Sequence, residues 1–224
     1  MLNQEILDII FRSKEWGWVL EPDAKRLLSL AGIDVPKFIW ADRLNEAIEF
    51  AERIGYPVIA KVVSPQVVHK TEAGGVVVAI DNKIALAEAF HRLSSIDGAT
   101  GVLVEESVSG VEMIVGSKND YQFGPVILFG IGGTGVEIYK DTTIRMAPIK
   151  AKDVNSMLKS LKAHKLLEGY RGAKPISLEK LTQNLMAFSS LIMDLGESAT
   201  SIDLNPVFCS PTRCVVADAR IMLT

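Results

Sequence analysis

The chain is 224 residues long, 48% hydrophobic but only 7% aromatic, with a formal net charge of −3. That length builds one two-lobed domain whose core needs no disulfide or metal to hold it, and the scattered lysines and arginines exclude a concentrated basic face for nucleic acid. The longest uncharged stretch, from Tyr121 to Val136, is sixteen residues interrupted by one proline and five glycines, whereas a membrane-spanning helix needs about 20 largely apolar residues.

The opening MLNQEILDII carries Glu5 and Asp8 and no basic n-region, so it does not read as a secretory signal and the expected compartment is the cytoplasm. Ile6, Ile9 and Ile10 recur at helical spacing, and a second helix follows Glu21, where Pro22 suits a first helical position and Gly32 the residue beyond the last. A short strand over 37–40 leads to a helix over about 43–54 closed by Gly55. Two β-branched runs, 57–63 and 75–80, bracket a segment, 64–75, with neither period. A helix over 83–93 then precedes the strand GVLVEESV.

The second half opens on a strand over 112–116, continues through PVILFG and the glycines of 130–135, and reaches Met146 in short strands. Helices from about Asp153 and Ser177 precede a final hairpin, ATSIDLNPVFC with RCVVADARIM. The pattern predicts βα units in the first half and a mainly antiparallel sheet with helices on one side in the second. The division falls in the stretch 104–110. Cys209 and Cys214 flank the turn of that hairpin and read as two reduced, partly buried thiols, as suits a chain with no export signal. Met146, Met157 and Met186 read as core filler.

Lys61 is the one charge in an apolar run of seven residues, 57–63. A buried ammonium is expensive without a partner, so it either snorkels to the strand's edge or faces an anion. The segment 64–75 is about as long as structureless connections run before function explains them better. Pro65 and Gly74-Gly75 at its ends suit a flap, and glycines let backbone N–H groups approach phosphate oxygens. His69, near its middle, is either a solvated loop residue or a nucleophile, since neutral imidazole suits reversible phosphoryl carriage near pH 7.

Glu105 and Glu106 close an apolar strand and can be its solvated exit, whereas Glu112 interrupts the next strand, where a carboxylate can accept from a ribose diol. Asp203 and Asn205 alternate along a strand and so share a face, with Asp218 on the returning strand. They are either the polar side of an edge hairpin or an oxygen set for Mg²⁺, which one or two carboxylates usually hold together with substrate phosphates. Gly130, Gly132, Gly133 and Gly135 match neither G-x-G-x-x-G nor a P-loop and read as a bulge or tight passage.

Taken in order, the strings PVIAKVVSPQVVHKTEAGGV, FGPVILFGIGGTGVEIYKDTTIRMAPI and IDLNPV resemble the ATP-grasp fold. They are most similar to the nucleotide-binding β subunit of ADP-forming acetyl-CoA (acyl-CoA) synthetases, and the likeness runs from EPDAKRLLSLAGIDVPK to VVADARIM. The resemblance implies an α+β, two-lobed ATP-grasp fold with the nucleotide cleft between lobes. A helical extension over 1–20 would precede a first lobe over 21–104, with its histidine flap at 64–75, and a second lobe over 105–224. Lys61 and the glycines Gly74 and Gly75 would face nucleotide phosphates, Glu105, Glu106 and Val108 would form the hinge that reads adenine, and Glu112 would bind the ribose. His69 would relay a phosphoryl group between an α-subunit histidine and ADP, and Asp203 would steady the phosphohistidine. Asn205 and Asp218 would hold Mg²⁺, and Arg145, in a D-x-x-x-R-x-x-P stretch, would face phosphate. The run Gly132-Gly133-Thr134-Gly135-Val136 departs from relatives, which tend to be bulkier after the second glycine.

The implied reaction is acyl-CoA + ADP + phosphate ⇌ carboxylic acid + CoA + ATP. It calls for an α subunit carrying the CoA-binding and phosphohistidine domains, in an α₂β₂ assembly. Two other readings remain. A carboxylate–amine ligase working through an acyl phosphate would carry an additional substrate domain and has no use for a flap histidine. A nucleotide-sensing regulatory module has no need of Lys61, His69, Glu112, Asp203 and Asn205 together.

Overall fold

A computed structural model describes residues 2–67, 70–133 and 140–224. In chain order its elements are α1 (Gln4–Ser13), β1 (Trp18–Val19), α2 (Glu21–Leu30), β2 (Phe38–Ala41), α3 (Leu44–Ile54), β3 (Val58–Val63), β4 (Val76–Ile80), α4 (Lys83–Ser94) and β5 (Gly101–Glu106). They continue with β6 (Val111–Asp120), β7 (Gly124–Ile131), β8 (Thr142–Met146), α5 (Ala151–Ser160), α6 (Leu178–Leu195), β9 (Ala199–Cys209), β10 (Cys214–Val216) and β11 (Ala219–Leu223). The chain folds as two compact units, a larger one of Met1–Val19, Asp23–Val35 and Ser109–Thr224 and a smaller one of Leu20–Pro22 and Pro36–Val108.

In the smaller unit four strands lie in the order β2-β5-β3-β4, every pairing antiparallel. Asn82 caps α4 by accepting from the amides of Ile84 and Ala85, and Gly55, at φ 91°, ends α3 where a side chain would be strained. Phe50 of α3 and Phe90 of α4 bury against Val58, Ala60, Val62, Val102 and Val104 of β3 and β5. Side chains alternate along a strand, so Ile59 and Lys61 of β3 and Leu103 and Glu105 of β5 face away from these helices.

The larger unit is built on a seven-stranded sheet in the order β1-β11-β9-β6-β7-β8, with β10 attached to β9. Its core gathers Ile9 of α1, Leu27 of α2, Met157 of α5 and Phe188 of α6 against Ile127, Phe129, Ile202 and Ile221 of the strands. The alternation of β9 is visible in its burial, with Ile202 and Leu204 inside and Asp203 and Asn205 outside.

Two expectations change here. Residues 1–20 are not an extension, and the helix beginning at Glu21 does not belong wholly with the strands that follow it. Ile6, Ile9, Ile10, Ala24, Leu27 and Leu28 bury in the core of the larger unit, β1 pairs with β11 through Trp18 and Met222, and Asp34 forms an ion pair with Arg213 at 3.0 Å. Helical spacing reports that a stripe is buried but not what it is buried against. The βα units expected in the first half are present as β2-α3-β3 and β4-α4-β5, with every neighbouring pair of strands antiparallel.

Asp141, just ahead of β8, shows how the larger unit anchors its irregular chain. It is buried, and its two carboxylate oxygens accept from the backbone amides of Lys162 and Ala163, each at 2.8 Å, beyond the end of α5. Asp141→Ala should lower the unfolding free energy by about 3 kcal/mol, the loss of two charge-assisted bonds, and Asp141→Asn by roughly half of that. Urea unfolding of the two variants checks the ratio.

Candidate functional site

The face of the smaller sheet opposite its helices holds a chain of buried charges. Lys61 Nζ lies 2.7 Å from Glu21 Oε1 and 2.9 Å from Glu105 Oε1, and Lys70 Nζ lies 2.9 Å from Glu21 Oε2. The side chains of Lys61 and Lys70 are 8% and 9% exposed, and those of Glu21 and Glu105 at most 1%. Lys61 therefore faces anions rather than snorkelling. Ile59 is the cross-strand partner of Glu105 and Leu103 that of Lys61, so the two charged side chains meet diagonally on one face.

The carboxylate of Glu105, expected at a hinge that reads adenine partly through backbone groups, is turned to Lys61 inside the sheet. The same strand pairing that buries Val104 on the helix side buries Glu105 on the other. Glu106, at the end of β5, and Val108, beyond it, are half-buried. The amide of Glu106 donates to the carbonyl of Lys37 at 2.9 Å.

His69 lies outside the described residues. The chain resumes at Lys70, whose carbonyl accepts from the amide of Gly75 at 2.7 Å, while the amide of Gly74 donates to the carbonyl of Thr71 at 3.2 Å. The carbonyl of Gly75 accepts from the amide of Val62 at 2.8 Å, and a Cβ at Gly75 would stand 2.5 Å from a methyl group of Val62. Both glycine amides, expected to meet phosphate, are spent on closing this turn. Gly75 is required because the turn lies directly against β3.

The larger sheet offers its uncovered face. Asp203 is the cross-strand partner of Gly116 on β6 and Arg220 on β11, and Glu112 that of Phe208. The β6–β9 register shifts between Met113 and Val115, so Asn205 and Pro206 together oppose Ile114. Leu204 and Val207 consequently both face the core, and Asp203, Asn205 and Glu112 share the exposed side. Asn205 donates its amide to the carbonyl of Asp218 at 3.2 Å, and Asp218 Oδ1 accepts from the amide of Ala219 at 2.8 Å. Desolvation raises the pKa of Asp203 above the usual carboxylate value; Arg220 across the strand pair opposes this and Asp218 adds to it. Two carboxylates that repel, with an amide oxygen beside them, form a donor set suited to a hard divalent cation completed by phosphate oxygens. Among the described residues no three His, Cys, Asp or Glu side chains gather into a metal cage.

The glycines read as a tight passage are one as far as they are described. The amide of Gly132 donates to the carbonyl of Glu112 at 2.6 Å, and a Cβ on Gly132 would press on the Glu112 backbone at 3.0 Å. Thr134, Gly135 and Val136 lie outside the described residues. Arg145 is a correction. Its cross-strand partner is the buried Ile127, and its guanidinium donates to Thr143 Oγ1, to the carbonyl of Ile144 and to Ser156 Oγ on α5. It therefore points to the helix side of the sheet. Its neighbours Ile144 and Met146 are exposed, so Met146 is not core, nor is the exposed Met186 on α6, whereas Met157 is. Cys209 and Cys214 are register partners, both free and both buried. The hydrogen bond between them and their burial push the Cys209 thiol far above its ordinary value, which keeps it an unreactive thiol.

Sequence reasoning missed Glu21 and Lys70. An acidic residue in the first turn of a helix is commonplace for dipole reasons, and a loop lysine reads as solvated. Neither carries a local signal of burial.

The geometry can be set beside known proteins. Residues 11–223 match the family model described as an ATP-grasp domain. The chain is 40% identical over 213 residues to the acetate–CoA ligase (ADP-forming) I subunit beta of Pyrococcus furiosus, covering 92% of this chain and 91% of that one. It is 38% identical to the 4-hydroxybutyrate–CoA ligase (ADP-forming) of Nitrosopumilus maritimus, and there it spans 33% of the longer protein. Among solved structures, the dinucleotide-forming acetyl-coenzyme A synthetase 1 of Ca. Korarchaeum cryptofilum superposes with a TM-score of 0.90 at 39% identity in its complex with coenzyme A and Ca-AMPCP, covering 97% of this chain and 99% of that one. Its complex with coenzyme A and Mg-AMPPCP, whose phosphohistidine segment points towards the nucleotide-binding site, gives 0.86, also at 39% identity, over 98% and 100%.

The fold is therefore ATP-grasp, α+β with antiparallel sheets. Within that class the chain belongs to the family of ADP-forming acetate–CoA ligase β subunits.

The buried charges make a prediction independent of function. Lys61→Met takes the cation from between two carboxylates that have almost no access to water. Breaking such a pair by removing one partner should cost about 3–5 kcal/mol in guanidinium unfolding, against under 1 kcal/mol for an exposed lysine.

Proposed function

We propose that this chain is the nucleotide-binding β subunit of an ADP-forming acyl-CoA synthetase, acting with an α subunit that carries the CoA and phosphohistidine chemistry, as an α₂β₂ assembly in the cytoplasm. The observation that carries this reading is that Glu112, Asp203 and Asn205 share one open sheet face in a chain alike over nearly its whole length to β subunits of that name. No described helix is long and apolar enough to cross a membrane.

Phosphoryl transfer asks the protein mainly for alignment and neutralised charge. In this reading Lys61 contacts the nucleotide phosphates, Glu112 accepts from the ribose hydroxyls, and the backbone at Glu106 and Val108 reads the base. Asn205 and Asp218 hold Mg²⁺, which when bound neutralises phosphate charge. A ring nitrogen of His69 attacks the phosphorus of the α-subunit phosphohistidine, whose imidazole leaves. A terminal oxygen of ADP then attacks the phosphorus on His69, giving ATP and restoring the free imidazole. Asp203 holds the His69 tautomer and stabilises the charged ring while the phosphoryl group is on it. The raised pKa of Asp203 reflects its crowded surroundings, and a cationic phosphohistidine beside it would reverse that shift. Gly74, Gly75, Glu105 and Arg145 are given no nucleotide contact in this reading: the glycine amides close a turn, Glu105 lies against Lys61 and Arg145 points to the helix side of its sheet.

The test is transfer of labelled phosphate from a phosphorylated α subunit, co-purified from the native cell, through this chain to ADP. His69→Ala should bind Mg-ADP as wild type does and form no ATP, because alanine offers no nucleophile. Substantial ATP from that variant would sink the relay. Glu112→Ala should weaken ADP binding by about tenfold or more in calorimetry, the loss of a charge-assisted bond. Loss of Mg²⁺ with EDTA should weaken ADP and leave adenosine unaffected.

A further inference from the structure

Glu21 is placed where the nucleotide's own charge is needed. Its carboxylate bridges two ammonium groups, Oε1 to Lys61 at 2.7 Å and Oε2 to Lys70 at 2.9 Å, with no side-chain exposure to water. Two oxygens of one anion meeting two lysines is the contact a phosphate group makes with the same pair. A lysine has three donors, and Lys61 directs its ammonium to Glu21 and to Glu105. Glu105 cannot give way easily, because it sits inside β5 with strand partners on both sides, Phe38 and Ile59. Glu21 is the first residue of a helix, held by no strand.

We infer that Glu21 is a built-in competitor of the nucleotide phosphates for Lys61, and that Lys70, by holding the second carboxylate oxygen, sets how strongly it competes. The inference rests on the reading that Lys61 contacts those phosphates. Glu21 and Lys70 are positioning residues, acting through Lys61. In the nucleotide-free chain the carboxylate keeps the lysine ionised and ordered. When phosphate arrives, a carboxylate–ammonium bond is exchanged for a phosphate–ammonium bond, so net affinity is the difference between two anions. Lys70 draws charge away from the Glu21–Lys61 bond and eases the exchange.

The two residues should therefore shift affinity in opposite directions, and only for ligands that carry phosphate. Glu21→Gln keeps the shape and removes the competing charge, so Mg-ADP should bind about tenfold tighter while adenosine binds as before. Lys70→Gln leaves Glu21 undivided on Lys61, so Mg-ADP should bind more weakly, again with adenosine unchanged. The double variant should resemble Glu21→Gln, because no carboxylate remains for Lys70 to steer. Calorimetric titration of the whole chain with Mg-ADP and with adenosine reads all four proteins, and thermal unfolding confirms that each is folded.

Glu21→Gln binding Mg-ADP no tighter than wild type overturns the inference, as does an equal change for adenosine, which would mark a structural residue. If Glu21→Gln does not fold, Lys70→Gln decides alone, and unchanged or tighter ADP binding there overturns the proposal. Wild type that binds no Mg-ADP defeats the Lys61 reading itself, and the competitor with it. Wild type that binds while the variants fail to diverge defeats the competitor only.

Discussion

An ammonium group with 8% of its side chain exposed cannot stay ionised inside a sheet unless anions stand within bonding distance, and that constraint organises the smaller unit. Moving a lone charge out of water costs several kcal/mol even after the protein relaxes. Lys61 meets it with two carboxylates from different parts of the chain, one in the neighbouring strand and one at the head of a helix. Glu21 extends the chain of charges to Lys70, beside the segment expected to carry the phosphoryl group. A strand, a strand partner, a helix start and a turn are thus fixed relative to one another by one electrostatic need. The hydrophobic core on the other side of the same sheet makes no demand of that kind, since it specifies volume and not identity.

The larger unit divides its labour between the faces of one sheet. The helix side is packed solid, and the polar residues turned towards it, Arg145 and Asp141, spend their hydrogen bonds on Ser156 and on the amides of Lys162 and Ala163. The open side carries Glu112, Asp203 and Asn205 instead. The register shift at Asn205-Pro206 keeps Asn205 there and returns Val207 to the core two residues later.

Local periodicity made nearly every element legible. The alternation in IDLNP placed Asp203 and Asn205 on one face, and Gly55 and Gly32 marked helix ends by the conformations they alone adopt cheaply. What stayed hidden was partnership. The six apolar neighbours of Lys61 announce burial but not which anion answers it, because Glu21 lies forty residues away and Glu105 forty-four on the other side. Arg145 alternates with Ile144 and Met146, and with apolar residues exposed and an arginine turned inward, the usual reading of polarity gives the wrong face. The apolar stripe of the second helix was equally readable and equally silent about its destination. Periodicity says nothing of His69, and the relay proposed for it rests on relatedness alone.

The smaller unit is inserted, in chain order, within the larger one. Its last residue is Val108, whereas the larger sheet receives β9 and β11 only after residue 198, and β1 finds its partners in Ile221 and Met222. On a ribosome that works from N- to C-terminus, the smaller unit has all its parts once Val108 is made, before any residue of β6 to β11 exists. The first helix, with Ile6, Ile9 and Ile10, must wait until β9 and β11 are made for the core it packs into. Newly made chains therefore carry this apolar stripe uncovered while the whole of the smaller unit is being made, and a chaperone in the cell would have to shield it.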